Sequence, residues 1–296
     1  MSNAAANTQS SFPDQLPLFE PEIVLYHADC PDGFGAAWAM WRRFPGAEFH
    51  PVRHGMPPPT GLAQRRVVIV DFSYDRATIE RMAREAARMA VLDHHVTAQQ
   101  ALGDLPYVFF DQTKSGAVLS WEWAHRAPAP WLLQYVQDKD LRRWQLSDSR
   151  EINAAIESHP FDFALWEQFR QETLALEGRA ILRAQGQLLV KVLASAVLVR
   201  FEGATVPAVH SAIFRSELGE RLSVGVPFCL VWYERAGRRY VSLRSSKSGA
   251  DVAVIAARHG GGGHCRAAGF SLPVAPEHPL PFDVLSPYSA VGPTDE

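Results

Sequence analysis

The chain has 296 residues, of which 47% are hydrophobic and 21% charged, and its formal net charge is −3. This length allows two domains with ordinary hydrophobic cores, whereas the charge excludes the strong positive field of proteins that bind long nucleic-acid duplexes. The three cysteines are too scattered for a disulfide framework or a zinc site, and no apolar run approaches the roughly 18 to 20 residues that a membrane span needs. We therefore expect a cytoplasmic protein that does not span a membrane.

Residues 1–20 lack the basic and apolar segments of a signal peptide, and their polar composition predicts a disordered lead-in. Strand-like and helical patterns alternate from residue 21 onwards. EIVLYHA, RRVVIVDFS and AVLDHHV are typical of strands, and GFGAAWAMWRRF and DRATIERMAREAARM of helices, the second one capped by Asp75. This alternation predicts an α/β domain with a parallel sheet over residues 21–160.

Two more helical patterns, SGAVLSWEWAHR and APWLLQYVQDKD, follow in this domain. Residues 161–195 form a long proline-free helical pattern, which we predict to be a connector that bends or breaks at Gly178 or Gly186. Four strand-like runs and one helix, SGADVAVIAARHG, then predict a smaller α/β domain over residues 196–275. Residues 276–296 are rich in proline and are predicted to be a loose or disordered tail.

Acids and histidines follow three of the predicted strands, and another acidic pair follows the helical run WLLQYV. In a parallel α/β sheet, ligands bind beyond the carboxyl ends of the strands, so these side chains are expected to converge. The residues are His27, Asp29, Asp32, Asp71, Asp93, His94, His95, Asp138 and Asp140.

Each of these residues has a plainer interpretation when it is taken alone. Asp71 is suited to cap a helix, Asp138 or Asp140 to lie in solvent, and His27 to be a hydrogen-bonded histidine of the core. Taken together, several carboxylates without a counter-charge would repel one another, and metal cations relieve that repulsion. Carboxylate and imidazole ligands without a thiolate suit Mn(II), with Mg(II), Fe(II) or Co(II) as alternatives.

The number of carboxylates favours two ions, which together activate a water and hold the oxygens of a phosphoryl group during its hydrolysis. The segments HADCPDG, VVIVDFS, VLDHHV and VQDKD, in this order, resemble the four motifs of the DHH phosphoesterase superfamily. The segment HGGGGHCRAAGF resembles the glycine-rich motif of the DHH-associated C-terminal domain. The resemblance implies a parallel-sheet DHH domain, a helical connector and a smaller C-terminal α/β domain, with the active site in the cleft between the domains.

The resemblance also implies which residues bind metal, with Asp71 as the bridging carboxylate and Asp138 favoured over Asp140. The family more often has one residue between the two acids of the first motif, whereas Cys30 and Pro31 both intervene here. Asp93 and His95 are the expected catalytic residues, with His95 beside the phosphate or bonded to a ligand. The full predicted set of metal ligands is His27, Asp29, Asp32, Asp71, Asp93, His94 and Asp138.

The glycine-rich segment is predicted to bind an anion. Gly260 would cap the preceding helix, and the next three glycines would let backbone N–H groups approach a phosphate. A flexible linker is the alternative, but the apolar residues that follow are typical of packed structure. The predicted substrate-binding residues are Arg244, Gly261, Gly262, Gly263, His264 and Arg266, together with Lys114 and Ser115 before a helix of the first domain.

The expected function is a Mn(II)-dependent phosphoesterase that hydrolyses phosphodiester or phosphomonoester bonds of short single-stranded oligonucleotides or nucleotides. Alternatives within the superfamily are a cyclic-dinucleotide phosphodiesterase and an exopolyphosphatase or pyrophosphatase. A nucleotide- or RNA-binding protein without catalysis is the alternative from another class, and a homodimer is left open.

Overall fold

The computed structural model describes residues 16–274 and 280–288, and its chain divides into two compact units, residues 1–182 and 183–296. Residues 1–15 of the predicted lead-in lie outside the described residues. The remainder of that segment contradicts the prediction, because Leu16 and Phe19 are buried against Trp123. The ring of Phe19 meets that of Trp123 edge-on, and Trp123 Nε1 donates to the Leu16 carbonyl at 3.2 Å.

The first unit has a five-stranded parallel sheet with the strand order β2-β1-β3-β4-β5, as the alternating sequence pattern predicts. Its apolar strands are buried on both faces, since helices cover both sides of the sheet. The strands are β1 (Ile23–His27), β2 (Glu48–Val52), β3 (Arg66–Val70), β4 (Arg88–Asp93) and β5 (Val108–Phe110).

Eight helices begin within residues 16–182, the described part of the first unit. The predicted cap of the second helix is confirmed, because the N–H of Thr78 donates to the side chain of Asp75 at 3.0 Å. The helices are α1 (Pro31–Arg43), α2 (Arg76–Glu85), α3 (Val96–Leu102), α4 (Gly116–His125), α5 (Trp131–Asp140), α6 (Ser149–Ser158), α7 (Phe163–Glu167) and α8 (Gln171–Leu193).

The predicted connector is interrupted at another place than expected. The break lies between α7 and α8, whereas α8 continues through both Gly178 and Gly186. A Cβ at Gly178 would collide with the carbonyl of Glu151, so this glycine serves the close approach of α6 rather than a bend. Neither α8 nor any other helix within the described residues combines the length and apolar character that crossing a membrane requires.

The second unit has a seven-stranded sheet with the order β10-β11-β9-β8-β7-β6-β12, in which only β7 and β8 are parallel neighbours. Helix α9 (Arg215–Leu222) packs on one face and α10 (Val252–Arg258) on the other. Part of the predicted tail is an edge strand paired with β6, while residues 275–279 and 289–296 lie outside the described residues. The strands are β6 (Val197–Phe201), β7 (Ala204–His210), β8 (Cys229–Arg235), β9 (Arg238–Arg244), β10 (Gly262–His264), β11 (Ala267–Pro273) and β12 (Asp283–Pro287).

Candidate metal centre

The strand register of the first unit places three side chains side by side at the carboxyl edge of the sheet. His27 ends β1, Asp71 directly follows β3, and Asp93 ends β4. Strand β1 lies between β2 and β3. The connection after β1 runs to one side, towards β2, and the connection after β3 runs to the other, towards β4, which opens a crevice at the carboxyl ends of β1 and β3. Because β4 ends at Asp93, the next two residues, His94 and His95, lie in the turn that follows the strand.

Asp71 stands between two imidazoles. Its Oδ2 lies 3.5 Å from His27 Nδ1, and its Oδ1 lies 3.2 Å from His94 Nε2. The side chain of Asp71 is buried, yet Oδ1 has no partner with the geometry of a hydrogen bond. A buried carboxylate oxygen without such a bond is costly, and a cation between Asp71 and the imidazoles would remove that cost.

Asp32, in the first turn of α1, is held by the N-terminus of α4. Its two oxygens accept the N–H groups of Gly116 at 2.7 Å and Ala117 at 3.1 Å. A Cβ at Gly116 would collide with Asp71, so a glycine is required for this close approach. The helix dipole and amides of α4 therefore stabilise a predicted metal ligand.

This arrangement leaves the predicted substrate contacts of Lys114 and Ser115 without structural support. Lys114 Nζ lies 2.6 Å from Glu122 Oε2. Ser115 is buried at the cap of α4, and its N–H donates to Gln137 Oε1 at 3.0 Å. Both residues therefore fix the start of α4 in this structure.

Asp93 orients the two histidines that follow it. Its Oδ2 accepts the hydroxyl of Ser73 at 2.6 Å, and its Oδ1 accepts the N–H of His94 at 2.7 Å. The same Oδ1 lies 2.6 Å from His95 Nδ1, and this hydrogen bond raises the pKa of His95. Asp93 thus fixes the ring of His95 with Nε2 directed away from it.

The structure brings Asp140 to the cluster and leaves Asp138 outside it, which reverses the predicted preference. His94 Nε2 lies 3.6 Å from Asp140 Oδ2 and 3.7 Å from Asp32 Oδ2. Asp138 instead accepts the N–H of Gln145 and the hydroxyl of Ser149, so it closes the loop between α5 and α6.

Asp29 also lies outside the groups of side chains that are close enough to bind one metal ion together. Its exposed carboxylate is held by Arg53 through two bonds of 2.7 and 2.9 Å, and its backbone has a φ of +58°. The neighbouring His54 was missed by the sequence analysis, although its ring centre lies 5.6 Å from that of His27. The sequence pattern did not predict the strand that precedes His54, so nothing in the sequence indicated that this single histidine lies near the cluster.

The charges of the cluster favour a positive charge among its carboxylates. Burial, followed by Asp71 and Asp140, raises the pKa of Asp32 well above its usual range. Burial also raises the pKa of Asp71, but the neighbouring imidazoles of His27 and His94 outweigh it and lower the value to about 2. Burial lowers the pKa of His94, whereas Asp71 and the other carboxylates raise it to about 9. A protonated imidazole therefore supplies the positive charge that a metal ion would otherwise provide.

Among the described residues, three overlapping groups of donor atoms have spacings of 4.8 Å or less, close enough for the members of each group to bind one ion. Asp71 belongs to two of the groups and His94 to two, which agrees with a bridging position for Asp71. Against the sequence-based expectation, one group includes a thiol. The groups are His27, Cys30 and Asp71; Asp32, His94 and Asp140; and Asp71, Asp93, His94 and His95.

The glycine-rich segment of the second unit ends a helix and begins an edge strand. Gly260, with a φ of +72°, donates to the Ala257 carbonyl, and Gly261 donates to the Ala256 carbonyl. These two bonds form a Schellman motif, which confirms the predicted cap of α10. The N–H of Gly261 is consequently not available to an anion, whereas Gly262 and Gly263 lie in the edge strand β10.

Two predicted anion-binding side chains share one face of this sheet. His264 pairs with Ala267 of β11, and Ala267 pairs with Arg244 of β9. Directly opposed residues in antiparallel strands point to the same face, so His264 and Arg244 flank a small alanine at about 10 Å. Arg266 is exposed in the turn between β10 and β11.

Comparison of the sequence with known proteins shows one extended and one partial similarity, and no family model matches it. Uncharacterized protein R106 of Acanthamoeba polyphaga mimivirus is 31% identical over 307 residues, which cover 92% of this chain and 73% of that protein. Oligoribonuclease NrnB of Bacillus subtilis strain 168 is 42% identical over 65 residues, 22% of this chain and 16% of NrnB.

Solved structures show a similar fold at low sequence identity. PggH, a pGpG-specific phosphodiesterase from Vibrio cholerae, has a TM-score of 0.51 and 13% identity, with 85% of this chain and 93% of PggH covered. The DHH domain of a member of the s1p family of ribosomal proteins also has a TM-score of 0.51, with 15% identity and coverages of 90% and 83%. These similarities show the fold.

Proposed function

Since the chain belongs to the family of mimivirus protein R106 and has the fold of the DHH superfamily, we propose that it is a metal-dependent phosphoesterase. The observation that carries the proposal is Asp71, a buried carboxylate between two imidazoles with one oxygen lacking a hydrogen bond. This donor set fits divalent cations, and we propose two Mn(II) ions.

The proposed ligands divide between the two sides of Asp71. His27 lies on one side, and Asp32, His94 and Asp140 lie on the other. When bound, the ions would supply Lewis acidity and lower the pKa of a water molecule. Asp93 holds His95 Nδ1, so we assign His95 Nε2 to the phosphate or to the proton of the leaving group.

As substrate we propose a short single-stranded oligonucleotide or a nucleotide. The names of NrnB and PggH specify an oligoribonuclease and a pGpG-specific enzyme, which supports this size class. The net charge of −3 agrees with a small substrate better than with a long duplex. We assign His264 and Arg244 to a substrate phosphate, because they lie on one face of the sheet, two strand spacings apart, and both side chains can donate to an anion.

The proposal is tested by incubating the protein with Mn(II) and each of five substrates: a short RNA, pGpG, a cyclic dinucleotide, adenosine bisphosphate and polyphosphate. We expect Mn(II)-dependent hydrolysis of the short RNA or of pGpG, and its loss on chelation. Asp71→Asn should lose at least about 100-fold in rate, since it weakens the shared ligand. His264→Ala should mainly raise KM.

Asp75→Asn is the matched control, because asparagine also caps a helix and Asp75 lies outside the cluster. It should keep the rate of the unaltered protein. Hydrolysis of none of the substrates by a folded, Mn(II)-bound protein would refute the proposal. Preferred cleavage of polyphosphate or of the cyclic dinucleotide would refute the substrate assignment alone.

A further inference from the structure

We propose that Cys30 is a metal ligand and that it allows the His27 side of the centre to bind thiophilic divalent cations in competition with Mn(II). The proposal rests on the metal centre of the proposed function and adds a property that this centre does not itself imply. It concerns which ion binds at one side of Asp71, and so it can be tested without measuring turnover.

The first argument is the position of the thiol. Cys30 Sγ, a ring nitrogen of His27 and a carboxylate oxygen of Asp71 all lie within 4.8 Å of one another. One cation among them would therefore receive nitrogen and sulfur donors from the end of β1 and its connection to α1, and an oxygen donor from the end of β3. Cys30 directly precedes α1, whose start is fixed by the hydrogen bonds between Asp32 and α4.

The second argument is that a thiol is a poor cap for the helix. Cys30 occupies the N-cap position of α1, where serine, threonine, aspartate and asparagine are preferred because they accept a backbone N–H. Cys30 makes no such side-chain bond. The fold thus has a poor helix cap at a position that is well placed for a metal ligand.

The third argument is the carboxylate that the thiol faces. Asp71 is buried, and its Oδ2 faces the His27 side at 3.5 Å from His27 Nδ1, whereas the Oδ1 that lacks a hydrogen bond faces His94. Its other side is lined by Asp32, His94 and Asp140, which offer only oxygen and nitrogen. Soft sulfur ligands favour Cd(II), Zn(II) or Co(II), whereas oxygen-rich sets suit Mn(II) or Mg(II). The two sides of Asp71 therefore differ in how strongly they bind a thiophilic ion.

Titration of the full chain with Cd(II) tests the proposal, since a thiolate bound to Cd(II) gives an ultraviolet charge-transfer band. The unaltered protein should show this band in proportion to bound Cd(II), and Cys30→Ser should lose it. Serine is a good N-cap, so this variant should fold, and Cys30→Ala gives a second test without a hydroxyl. Cys265→Ser, which alters an exposed cysteine, is the control and should keep the band.

Competition between the two ions gives a second measurement. Cys30→Ser should weaken Cd(II) binding by about tenfold or more, as expected for a lost metal-site interaction, while Mn(II) binding changes by less than about threefold. Equal losses for both ions would contradict the proposal. A band that persists in Cys30→Ser, or Cd(II) binding to the unaltered protein without a band, would overturn it.

These outcomes separate the two proposals. A Cys30-dependent band in a protein that hydrolyses none of the five substrates would refute the phosphoesterase and leave the Cys30 assignment standing. Mn(II)-dependent hydrolysis without a Cd(II)–thiolate band would refute the Cys30 assignment and leave the phosphoesterase standing.

Discussion

Asp138 and Asp140 are only two residues apart at the end of α5, yet they have different partners. Residues two apart on an α-helix point about 200° away from each other, so the two carboxylates face opposite directions. Asp138 turns towards the amides that follow α5, and Asp140 turns towards His94. A local sequence pattern contains both acids equally and cannot tell which one faces the sheet.

Asparagine substitutions at these two residues should affect different properties of the protein. Asp140→Asn should weaken Mn(II) binding and reduce turnover by about 100-fold, with little loss of stability in the absence of metal, because it removes a ligand charge. Asp138→Asn should lower the free energy of unfolding by about 1 to 3 kcal/mol and retain metal, because its carboxylate satisfies buried donors. Metal titration and urea unfolding measure the two effects. Loss of metal by Asp138→Asn alone would restore the predicted assignment.

At the scale of elements, the two glycines of α8 differ in their surroundings. Nothing lies within 4 Å of a Cβ added at Gly186, whereas a Cβ at Gly178 would collide with Glu151. Gly186→Ala should therefore raise the free energy of unfolding by about 0.5 to 1 kcal/mol. Gly178→Ala should lower it by about 1 to 3 kcal/mol through overpacking. Thermal unfolding of both variants checks this, and a similar shift in both would contradict the packing of α6 on α8.

The turn between β6 and β7 is tied to the end of α10 by a carboxylate. Glu202 accepts bonds of 2.6 Å from Arg258 and 2.8 Å from His259. These partners lower the pKa of Glu202 below its usual value of 4.5. The stabilisation is therefore present above pH 4.5 and is lost as the pH falls below it.

Glu202→Gln should remove this part of the pH dependence. The difference in stability between the unaltered protein and the variant should be largest near neutral pH, at less than about 1 kcal/mol, and should shrink in acid. Urea unfolding at pH 7 and pH 4 measures it. An equal difference at both values would show that the charge of Glu202 contributes nothing.

Sequence patterns were informative where an element is buried on both faces. The continuous apolar runs of β3 and β4 predicted two central strands, and with them the positions of Asp71 and His94. Strand β2 is an edge strand that contains Pro51 and a polar face, so its pattern was not recognised. His54 follows this strand and was missed with it.

At the scale of the whole molecule, the metal centre is expected to set much of the stability of the first unit. Several buried carboxylates repel one another without a cation, and an ion that binds only the folded state stabilises it. At about 100 times its dissociation constant, Mn(II) should add about 2.7 kcal/mol. Asp71→Asn should abolish this gain, and Asp75→Asn should keep it.

Tryptophan fluorescence can follow this unfolding, because Trp232 is the only one of the eight tryptophans beyond residue 182. The midpoint of the thermal fluorescence transition should rise with Mn(II) and return on chelation. An unchanged midpoint at saturating Mn(II) would show that the ion does not bind preferentially to the folded first unit.

The bonds from α4 to Asp32 also bear on the order of events during folding. Asp32 is 84 residues away from Gly116 in sequence, so its carboxylate is oriented only after the intervening chain has closed a long loop. Before that closure, Asp93, His94 and His95 are neighbours in sequence, but the remaining donors are dispersed. A nascent or refolding chain therefore has its complete set of metal ligands only after most of the sheet has assembled. The ion then stabilises a structure that is already nearly folded.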